Sequence, residues 1–410
     1  MGFFRFLSAN ARWLFAGFVM TFASSFGQTY FISLFSGNIR AEFGLSHGDF
    51  GAAYMAATLA SAVTLLWLGK LADRPRLDLI AAAMVGGLAL TSFAMSQAQH
   101  IIALVVVLYG LRLFGQGMLT HISLTAMARW YNQQRGRAIS IAGLGHPAGE
   151  AIFPPIAVIL VVLIGWRETW MVAALVLAFA ALPVSFALLR QKRTPQSQLP
   201  QSPGVQSGDW TRARVLRDPL FYALMPGLMA MSFIVTGVFF HQVHLVDVKG
   251  WQLTHFAAGY PVFAATTVVS SLLAGGAIDR WSAIRVLPVF LLPMAFGLLV
   301  LASTPDPYLA LIYFALTGLS AGSGTTVISA LWAELYGVSH LGAIRSVVVS
   351  AGVAASALAP GLLGWLIDRG VGIEQQLMVM AIYTFAAAGL FALMMKVLAG
   401  RAYALRVQAP

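Results

Sequence analysis

The sequence predicts an all-α protein that crosses a lipid bilayer twelve times. Of its 410 residues, 59% are hydrophobic and only 10% are charged, whereas about a quarter of the residues in an ordinary soluble domain are charged. A transmembrane helix needs about 20 mostly apolar residues, and twelve such stretches follow one another along the chain. This composition excludes a water-soluble globular enzyme, and it also excludes a disordered or fibrous chain.

Short polar segments separate the apolar stretches and set the bounds of the predicted helices. The first stretch is too long and too polar at its ends for a cleaved signal peptide. The twelve predicted helices are 12–36, 50–70, 78–97, 101–127, 138–164, 169–189, 219–246, 253–275, 284–303, 308–333, 343–367 and 375–397.

One longer connector divides the series into six helices and six helices. From Arg190 to Arg217 the chain is rich in Gln, Ser, Pro and Arg, a composition typical of a flexible linker. We therefore predict an N-terminal six-helix bundle over 1–190, a cytoplasmic linker over 191–217 and a C-terminal six-helix bundle over 218–410.

The positive charges predict the orientation of the chain. Twenty of the 25 Lys and Arg residues fall on the side of the amino terminus, four fall on the other side, and Arg112 lies inside a helix. The positive-inside rule then places both termini and the linker in the cytoplasm. We expect a multi-pass protein of the inner (plasma) membrane. The net charge of +11 thus reflects topology, and we expect no nucleic acid partner.

The two halves share sequence marks at a constant spacing of 206 residues. An even number of helices separates the copies, so the repeat is parallel, with its axis along the membrane normal. The matched pairs are Gly69 and Gly275, Asp73 and Asp279, Arg74 and Arg280, Gly136 and Gly342, and Pro154 and Pro360.

The segment 69–74 (Gly-Lys-Leu-Ala-Asp-Arg) lies between the second and third predicted helices. Together with twelve helices in a parallel repeat, it resembles the loop signature of the major facilitator superfamily. The later glycine and paired cations of that signature are missing here. The resemblance implies secondary transport by alternating access, in which two bundles rock about a central binding site.

The same loops supply candidate gating residues. A carboxylate at the inner end of the second helix can meet the positive amino terminus of the eleventh helix, and the repeat provides the equivalent contact from the other half. These contacts exist only when the cytoplasmic mouth is closed, so they favour the outward-open state. The candidate gating residues are Gly69, Asp73, Arg74, Asp279, Arg280, Glu334 and Arg345.

Arg112 is the first deep polar residue without a counterpart in the other half, where Gly318 occupies the matching position. It lies eleven residues into the fourth helix, about 16 Å from its start and near the midplane. An arginine at that depth is costly unless it is paired or faces water. The segment 112–117 (Arg-Leu-Phe-Gly-Gln-Gly) also resembles the helix 4 signature of the superfamily. We expect Arg112 to bind an anion or to take part in proton coupling; the alternative is a structural arginine bound to backbone carbonyls.

Glu150 is the second such residue, near the middle of the fifth helix, and its counterpart is Ser356. A carboxyl group there can take up and release a proton as the cavity opens to each side. A salt bridge between Glu150 and Arg112 would couple solute and proton; a static pair holding the two helices together is the alternative. His146, one turn before Glu150, is a candidate proton relay or else a structural histidine.

Polar residues near the middle of other helices complete the predicted solute site. The candidate solute-binding residues are Arg112, Gln116, Gln28, Tyr30, Ser24 and Ser320. His241 and His244 are expected near the outer mouth, and the simplest interpretation is a solvated histidine pair, because a metal site needs a third ligand.

Segments around the fourth and fifth helices resemble particular types of carrier within the superfamily. The sequences at 129–131 (Arg-Trp-Tyr) and 135–138 (Arg-Gly-Arg-Ala) resemble monocarboxylate and oxalate–formate type carriers, although the helix 1 signature of the monocarboxylate carriers is absent. We therefore expect a proton-coupled transporter of a small organic solute, such as a carboxylate. The alternatives are a proton-coupled efflux carrier for drugs or amphiphilic metabolites and a non-transporting receptor on a carrier-like fold.

The chain lacks the motifs of an enzyme or an ATP-driven pump. It has no phosphate-binding loop of the Gly-Lys-Ser/Thr type, and with no cysteine it has no thiolate chemistry. We expect a monomer in the lipid bilayer, with a small-molecule substrate and protons as its partners and without a cofactor or metal.

Overall fold

The computed structural model describes residues 3–73, 76–131, 134–191, 193, 210–337 and 340–407. Over these residues the chain is helical and contains no β-strand. By contact clustering it divides into two compact units, Met1–Gln201 and Ser202–Pro410. The predicted all-α fold of membrane-spanning helices is confirmed.

The N-terminal unit contains six spans. Helix α1 consists of a long segment followed by four short ones. The bounds are, for α1, Phe3–Ala23 with Ser24–Gly27, Thr29–Ile32, Ser33–Phe35 and Ser36–Phe43; for α2, His47–Ala72; for α3, Leu77–Gln97; for α4, Ile101–Trp130; for α5, Arg135–Ile164; and for α6, Trp166–Leu189.

The C-terminal unit also contains six spans, joined by short helical turns. The bounds are Pro219–Phe240 for α7, Leu253–Trp281 for α8, Leu292–Ser303 for α9, Pro307–Tyr336 for α10, Leu341–Asp368 for α11 and Ile373–Val407 for α12.

Ten of these helices are long and apolar enough to cross a membrane by themselves, within the described residues. The other two spans, α1 and α9, are interrupted. In α9 the continuous helix has 12 residues, and the short helix Ala283–Val286 precedes it. In the part of the chain that the structure describes, the helices thus form twelve spans, two of which are not single helices.

The interruption of α1 follows from its sequence. Residues 24–29 are Ser-Ser-Phe-Gly-Gln-Thr, and serine, glutamine and threonine side chains compete for backbone hydrogen bonds while glycine disfavours helix. The helix tightens into a 3₁₀ turn over Ser24–Gly27, and Gln28 is extended, with φ −86° and ψ 153°. Backbone carbonyls near the break are thus left without helical partners.

Glycines bring α1 and α5 into close contact. A Cβ atom added at Gly145 would lie 2.2 Å from the carbonyl oxygen of Phe18, and one added at Gly149 would lie 2.0 Å from Oγ of Ser25. The two glycines are four residues apart and so share one helix face. Small residues at this spacing allow two membrane helices to pack backbone to backbone.

The C-terminal unit uses the same device between α8 and α10. A Cβ atom at Gly318 would lie 2.6 Å from the carbonyl oxygen of Phe263, and one at Gly322 would lie 2.0 Å from that of Thr267. Gly318 is the repeat counterpart of Arg112. At this repeat position the C-terminal unit therefore has a glycine that allows tight packing, and the N-terminal unit has the charged side chain of Arg112.

Arg193, near the start of the predicted linker, packs against the N-terminal unit. The guanidinium of Arg193 lies 4.6 Å from the ring of Trp13 and 4.2 Å from that of Tyr131, and it donates a 2.8 Å hydrogen bond to Asn10. Burial raises the pKa of the Tyr131 hydroxyl to about 12, so this ring remains neutral beside the cation at physiological pH.

Candidate functional site

Arg112 is almost completely buried in the N-terminal unit. Its side chain lies in a π-helical stretch of α4, Leu111–Leu119, and the residue is 1% exposed. Nη1 donates to the carbonyl oxygen of Gly27 at 3.1 Å and to Oγ1 of Thr29 at 3.4 Å. The guanidinium thus satisfies the backbone that the break in α1 leaves open, and charged donors make the stronger hydrogen bonds.

Tyr54 of α2 completes this group. Its hydroxyl lies 2.8 Å from Oγ1 of Thr29, and its ring centroid lies 5.1 Å from Cζ of Arg112. The π-face of a tyrosine attracts a cation, and more strongly where water is excluded. We call Gly27, Thr29, Tyr54 and Arg112 the arginine cluster.

The close approach of α1 to α4 explains why the cluster forms at this level. A Cβ atom at Gly27 would lie 2.1 Å from the carbonyl oxygen of Leu111, and one at Gly115 would lie 2.7 Å from Cα of Gly27. Any larger side chain at either position would push the two backbones apart. The paired glycines hold the carbonyl of Gly27 within reach of the guanidinium.

A second polar group surrounds Glu150 on α5. The Glu150 side chain is 7% exposed, and its Oε2 lies 4.0 Å from Nδ1 of His146, whose side chain is 38% exposed. Tyr30, from the segment after the break in α1, lies with its ring 5.9 Å from that of His146. We call Tyr30, His146 and Glu150 the carboxylate cluster.

Arg112 and Glu150 do not form an ion pair in the described part of the chain. Arg112 instead binds Thr29 of the broken segment of α1, and the ring of the next residue, Tyr30, packs against His146 of the carboxylate cluster. The salt bridge considered from the sequence is therefore absent in this conformation. The broken segment of α1 connects the two charges.

The other predicted solute-binding residues are distributed over both units. Gln28 is buried and its Nε2 lies 3.5 Å from Oγ of Ser24, which donates to the carbonyl of Thr21. Gln116 is half-buried in the π-helical stretch. Ser320, in the C-terminal unit, accepts a 2.9 Å hydrogen bond from the backbone N–H of Met294, near the start of α9. The structure places Gln28 beside Ser24, and the role of all the predicted solute-binding residues stays a prediction.

The gating residues of the N-terminal unit are only partly described. The carbonyl oxygen of Gly69 lies 3.1 Å from Nε2 of His121. The backbone of Asp73 ends the 3₁₀ turn Gly69–Asp73, but its side chain and the whole of Arg74 lie outside the described residues. The predicted contacts of this loop stay predictions.

The gating residues of the C-terminal unit are all described, and each has a defined environment within that unit. Asp279 and Arg280 are exposed near the end of α8. Glu334 accepts hydrogen bonds from the backbone N–H groups of Ala283 and Ile284, at 2.8 and 3.4 Å. Glu334 thus caps a helix, as a carboxylate at a positive helix end does.

Arg345 contacts a residue of the same unit. Its Nη2 donates to Oγ of Ser329 at 3.2 Å, and this hydrogen bond joins α11 to α10. The predicted gating partner of Arg345 stays a prediction.

Sequence reasoning named every residue of the carboxylate cluster but missed part of the arginine cluster. Nothing in the sequence indicated the role of Tyr54, except that it is a polar aromatic residue in an apolar helix. The carbonyl of Gly27 is a backbone group, and residue types do not predict which backbone groups bind a side chain. The interpretation of His241 as solvated is wrong. His241 is 3% exposed, and its Nε2 lies 3.0 Å from the carbonyl oxygen of Pro360, because α7 ends at this residue and turns its side chain toward α11.

The apolar helices are those of a multi-pass membrane protein. Residues 17–276 match the family model of the Major Facilitator Superfamily. The chain belongs to this superfamily, and the sequence-based expectation of the family is confirmed.

Two curated relatives share weak similarity with the chain. The MFS transporter asaE of Aspergillus flavus is 24% identical over 224 residues, which are 54% of this chain and 48% of that protein; the match thus spans about half of that relative. An uncharacterized 38 kDa protein in the 23S RNA operon of Thermoproteus tenax is 24% identical over 291 residues, 71% of each chain.

Solved structures show the same fold. A bacterial homolog of the human lysosomal transporter Spinster, in an inward-facing and unoccupied conformation, has a TM-score of 0.73 at 17% identity, over 96% of this chain and 98% of that one. A mutant of the nucleoside transporter NupG has a TM-score of 0.69 at 15% identity, over 93% and 99% of the two chains. At such identities the likeness concerns the fold.

Proposed function

We propose that the protein is a proton-coupled secondary transporter of a small organic anion, in which Glu150 carries the coupling proton. The observation that supports the proposal is a carboxyl group in the membrane-spanning helix α5 with a 7% exposed side chain and an imidazole 4.0 Å away. An ionisable group at this depth is costly and marks ion or proton pathways in membrane proteins. Glu150 has no cation of Lys or Arg as its partner among the described residues.

His146 provides the route for the proton. Its side chain is 38% exposed, whereas that of Glu150 is 7% exposed, so the imidazole is the more accessible of the two groups. A neutral imidazole accepts a proton at one nitrogen and releases one from the other. Proton transfer through His146 then delivers the charge to a carboxyl group that water reaches poorly.

The broken segment of α1 provides the coupling. Tyr30 packs against His146, which lies 4.0 Å from Glu150, and its neighbour Thr29 accepts a hydrogen bond from Arg112. A change in the charge of Glu150 alters the electrostatic energy of Tyr30, and the adjacent residue transmits the resulting movement to Arg112. Proton and solute sites thus act on one element of the fold, and coupling requires that their ligands favour different arrangements of it.

Arg112 is the residue that would attract the anion. The guanidinium is buried without a carboxylate partner, and its Nε has no hydrogen-bond partner among the described residues. A buried charge without a counter-charge is unfavourable, so the carboxylate of a solute would stabilise it. Because the residue is 1% exposed, the solute binds only after α1 moves away from α4, and Gln28, Tyr30, Ser24 and Gln116 then add polar contacts.

The cellular setting of the proposal follows from the charge distribution. Both termini lie in the cytoplasm of a cell whose plasma membrane holds the transporter. The predicted gating residues close the cytoplasmic mouth in the outward-open state, and solute and protons move in the same direction.

Transport by the purified protein in liposomes tests the proposal. The assay measures accumulation of a panel of radiolabelled mono- and dicarboxylates under an imposed inward proton gradient, and separately measures exchange of internal for external solute. For Glu150→Gln we expect gradient-driven accumulation to fall to the level without a gradient, while exchange stays within about twofold of the wild type, because only the proton step is removed.

Asp247→Asn is the matched control, since Asp247 is an exposed carboxylate outside both clusters. It is expected to transport like the wild type. Gradient-driven accumulation by Glu150→Gln with an unchanged pH dependence would contradict the role of Glu150. Failure of every anion in the panel, with uptake of neutral or cationic solutes instead, would contradict the role of Arg112.

A further inference from the structure

An apolar cavity of about 210 Å³ lies between α1, α5 and α6 of the N-terminal unit. Its inner wall is aromatic, because the ring of Phe153 packs 4.6 Å from that of Phe26. Ile156 and Val176 line it and are 47% and 43% exposed, so they form its mouth. Neither cluster of the proposed transport site contributes to this cavity.

The mouth opens on a surface suited to lipid. Large apolar side chains around it on α5 and α6 are strongly exposed, with Ile159 at 52%, Val162 at 78% and Phe179 at 77%. A continuous exposed apolar surface of this kind marks contact with a membrane. The occupant of the cavity therefore comes from the bilayer.

A second, polar pocket of about 700 Å³ lies at the end of the same helices, on the side opposite the amino terminus. Val172 of α6 lines both the cavity and the pocket. On α5, Ile164 of the pocket lies four residues after Leu160 of the cavity, on the same helix face. The cavity and the pocket are thus neighbouring parts of one groove.

The groove has the length of one membrane leaflet. It runs from Phe153 near the middle of α5 to Ile164 at its last residue, which at 1.5 Å per residue is about 16 Å. Half of a typical hydrocarbon core is about 15 Å. A single acyl chain that begins at the membrane surface would therefore end at the aromatic wall.

The charges of the pocket select the headgroup. Arg167 pairs with Glu42 and also donates to the carbonyl oxygens of Ser96 and Ala98, so this pair is neutral overall. The exposed carboxylate of Glu168 has no hydrogen bond or ion pair among the residues that the structure describes. A ligand with an ammonium group would neutralise Glu168, and its phosphate would lie near Arg167.

We infer that this groove binds a zwitterionic aminophospholipid, with one acyl chain in the apolar cavity and the ammonium group of its headgroup on Glu168. Phosphatidylethanolamine has this chemistry, since its ammonium donates three hydrogen bonds. Phosphatidylcholine has no N–H donor. Phosphatidylglycerol has a net negative charge and would be repelled by the unpaired carboxylate of Glu168. The inference concerns lipid binding and does not depend on the transported solute.

Native mass spectrometry of the intact protein tests the inference. The delipidated protein is titrated with phosphatidylethanolamine, phosphatidylcholine or phosphatidylglycerol of the same chain length, and bound lipid is counted at each concentration. The wild type is expected to bind one phosphatidylethanolamine about tenfold more tightly than the other two lipids, which corresponds to about 1.4 kcal/mol. Equal binding of all three lipids, or no retained lipid, would overturn the proposal.

Two kinds of variant locate the site. Ala157→Trp fills the cavity from α5 and is expected to remove the bound lipid, whereas Val162→Trp places the same side chain on the exposed face and is expected to retain it. Ala173→Leu fills the cavity from α6 and replaces the first variant if that protein elutes as an aggregate. Retention of the lipid by a folded cavity-filling variant would overturn the site.

Glu168→Gln tests the headgroup contact with the chain site unchanged. We expect phosphatidylethanolamine binding to weaken by about tenfold and so to become equal to that of phosphatidylcholine. Asp247→Asn removes an exposed carboxylate elsewhere and is expected to keep the wild-type preference. A preference that survives in Glu168→Gln would overturn the assignment of this carboxylate.

Discussion

The guanidinium of Arg112 donates to the carbonyl oxygen of Gly27 at 3.1 Å and so joins the π-helical stretch of α4 to the break in α1. This hydrogen bond gives a buried cation a partner at the point where α1 leaves its own backbone unsatisfied. The two irregular segments stabilise each other, since neither a charged residue at this depth nor an open carbonyl is tolerated alone.

Replacement of Arg112 by lysine should destabilise the protein. An ammonium group is compact and cannot bind Gly27 and Thr29 while it lies against Tyr54, which the planar guanidinium does. We expect a loss of about 2–3 kcal/mol, the range for a hydrogen bond to a charged group, and a lower midpoint of thermal unfolding in detergent. Arg217→Lys, at an exposed position, is the control and should unfold like the wild type. Equal midpoints for the two variants would show that the contacts of Arg112 contribute little.

Gly27→Ala should separate α1 from α4. The added Cβ would lie 2.1 Å from the carbonyl oxygen of Leu111, so the backbones must move, and overpacking of this kind costs about 1–3 kcal/mol. Gly143→Ala on α5 meets nothing within 4 Å and serves as the control in the same thermal unfolding assay. A Gly27→Ala protein as stable as this control would mean that the two helices approach less closely.

Glu334 and Asp279 should separate stability from gating. Glu334→Gln weakens the cap on the short helix Ala283–Val286, with an expected cost of about 1 kcal/mol. Asp279→Asn changes an exposed side chain and should leave the unfolding midpoint unchanged. Because it removes the carboxylate of a predicted gating residue, it should lower the transport rate. Denaturation and uptake measured on both variants check this. Wild-type uptake by Asp279→Asn would remove that residue from the gate.

The predicted orientation can be checked with single cysteines, because the native chain has none. Gln99→Cys lies in the polar pocket opposite the amino terminus, and Gln191→Cys lies at the exposed start of the linker. A membrane-impermeant maleimide applied to intact cells should label the first and not the second, and both should react after the membrane is opened. The reverse pattern would place the termini outside.

Much of the fold was predictable because membrane helices are defined by local sequence. Ten of the twelve spans are continuous apolar helices that a count of hydrophobic residues detects. The break in α1 was not predicted, since its polar residues were interpreted as solute contacts within one helix. The break at Gln28 changes the direction of Thr29 and Tyr30, and therefore decides which charge each residue meets.

The two charges of the candidate site were predictable from the sequence, but their contacts were not. Depth and the missing counterpart in the repeat identified Arg112 and Glu150 as the two unusual charges. The distance between them depends on how α4 and α5 pack on α1, and this is set by glycines such as Gly115 and Gly149, whose partners are distant in sequence. The burial of His241 depends in the same way on the end of α7 and on the carbonyl of Pro360.

The amino-acid sequence by itself determined that this chain is a twelve-span membrane protein with an internal repeat and two ionisable residues deep in its N-terminal half. This is so because the insertion of each segment into a bilayer depends on the hydrophobicity and charge of its own residues. The tertiary structure decided that Arg112 binds the broken α1 and that Tyr30 packs against His146 beside Glu150. Those contacts depend on close packing between helices, where a single methyl group changes which polar atoms meet.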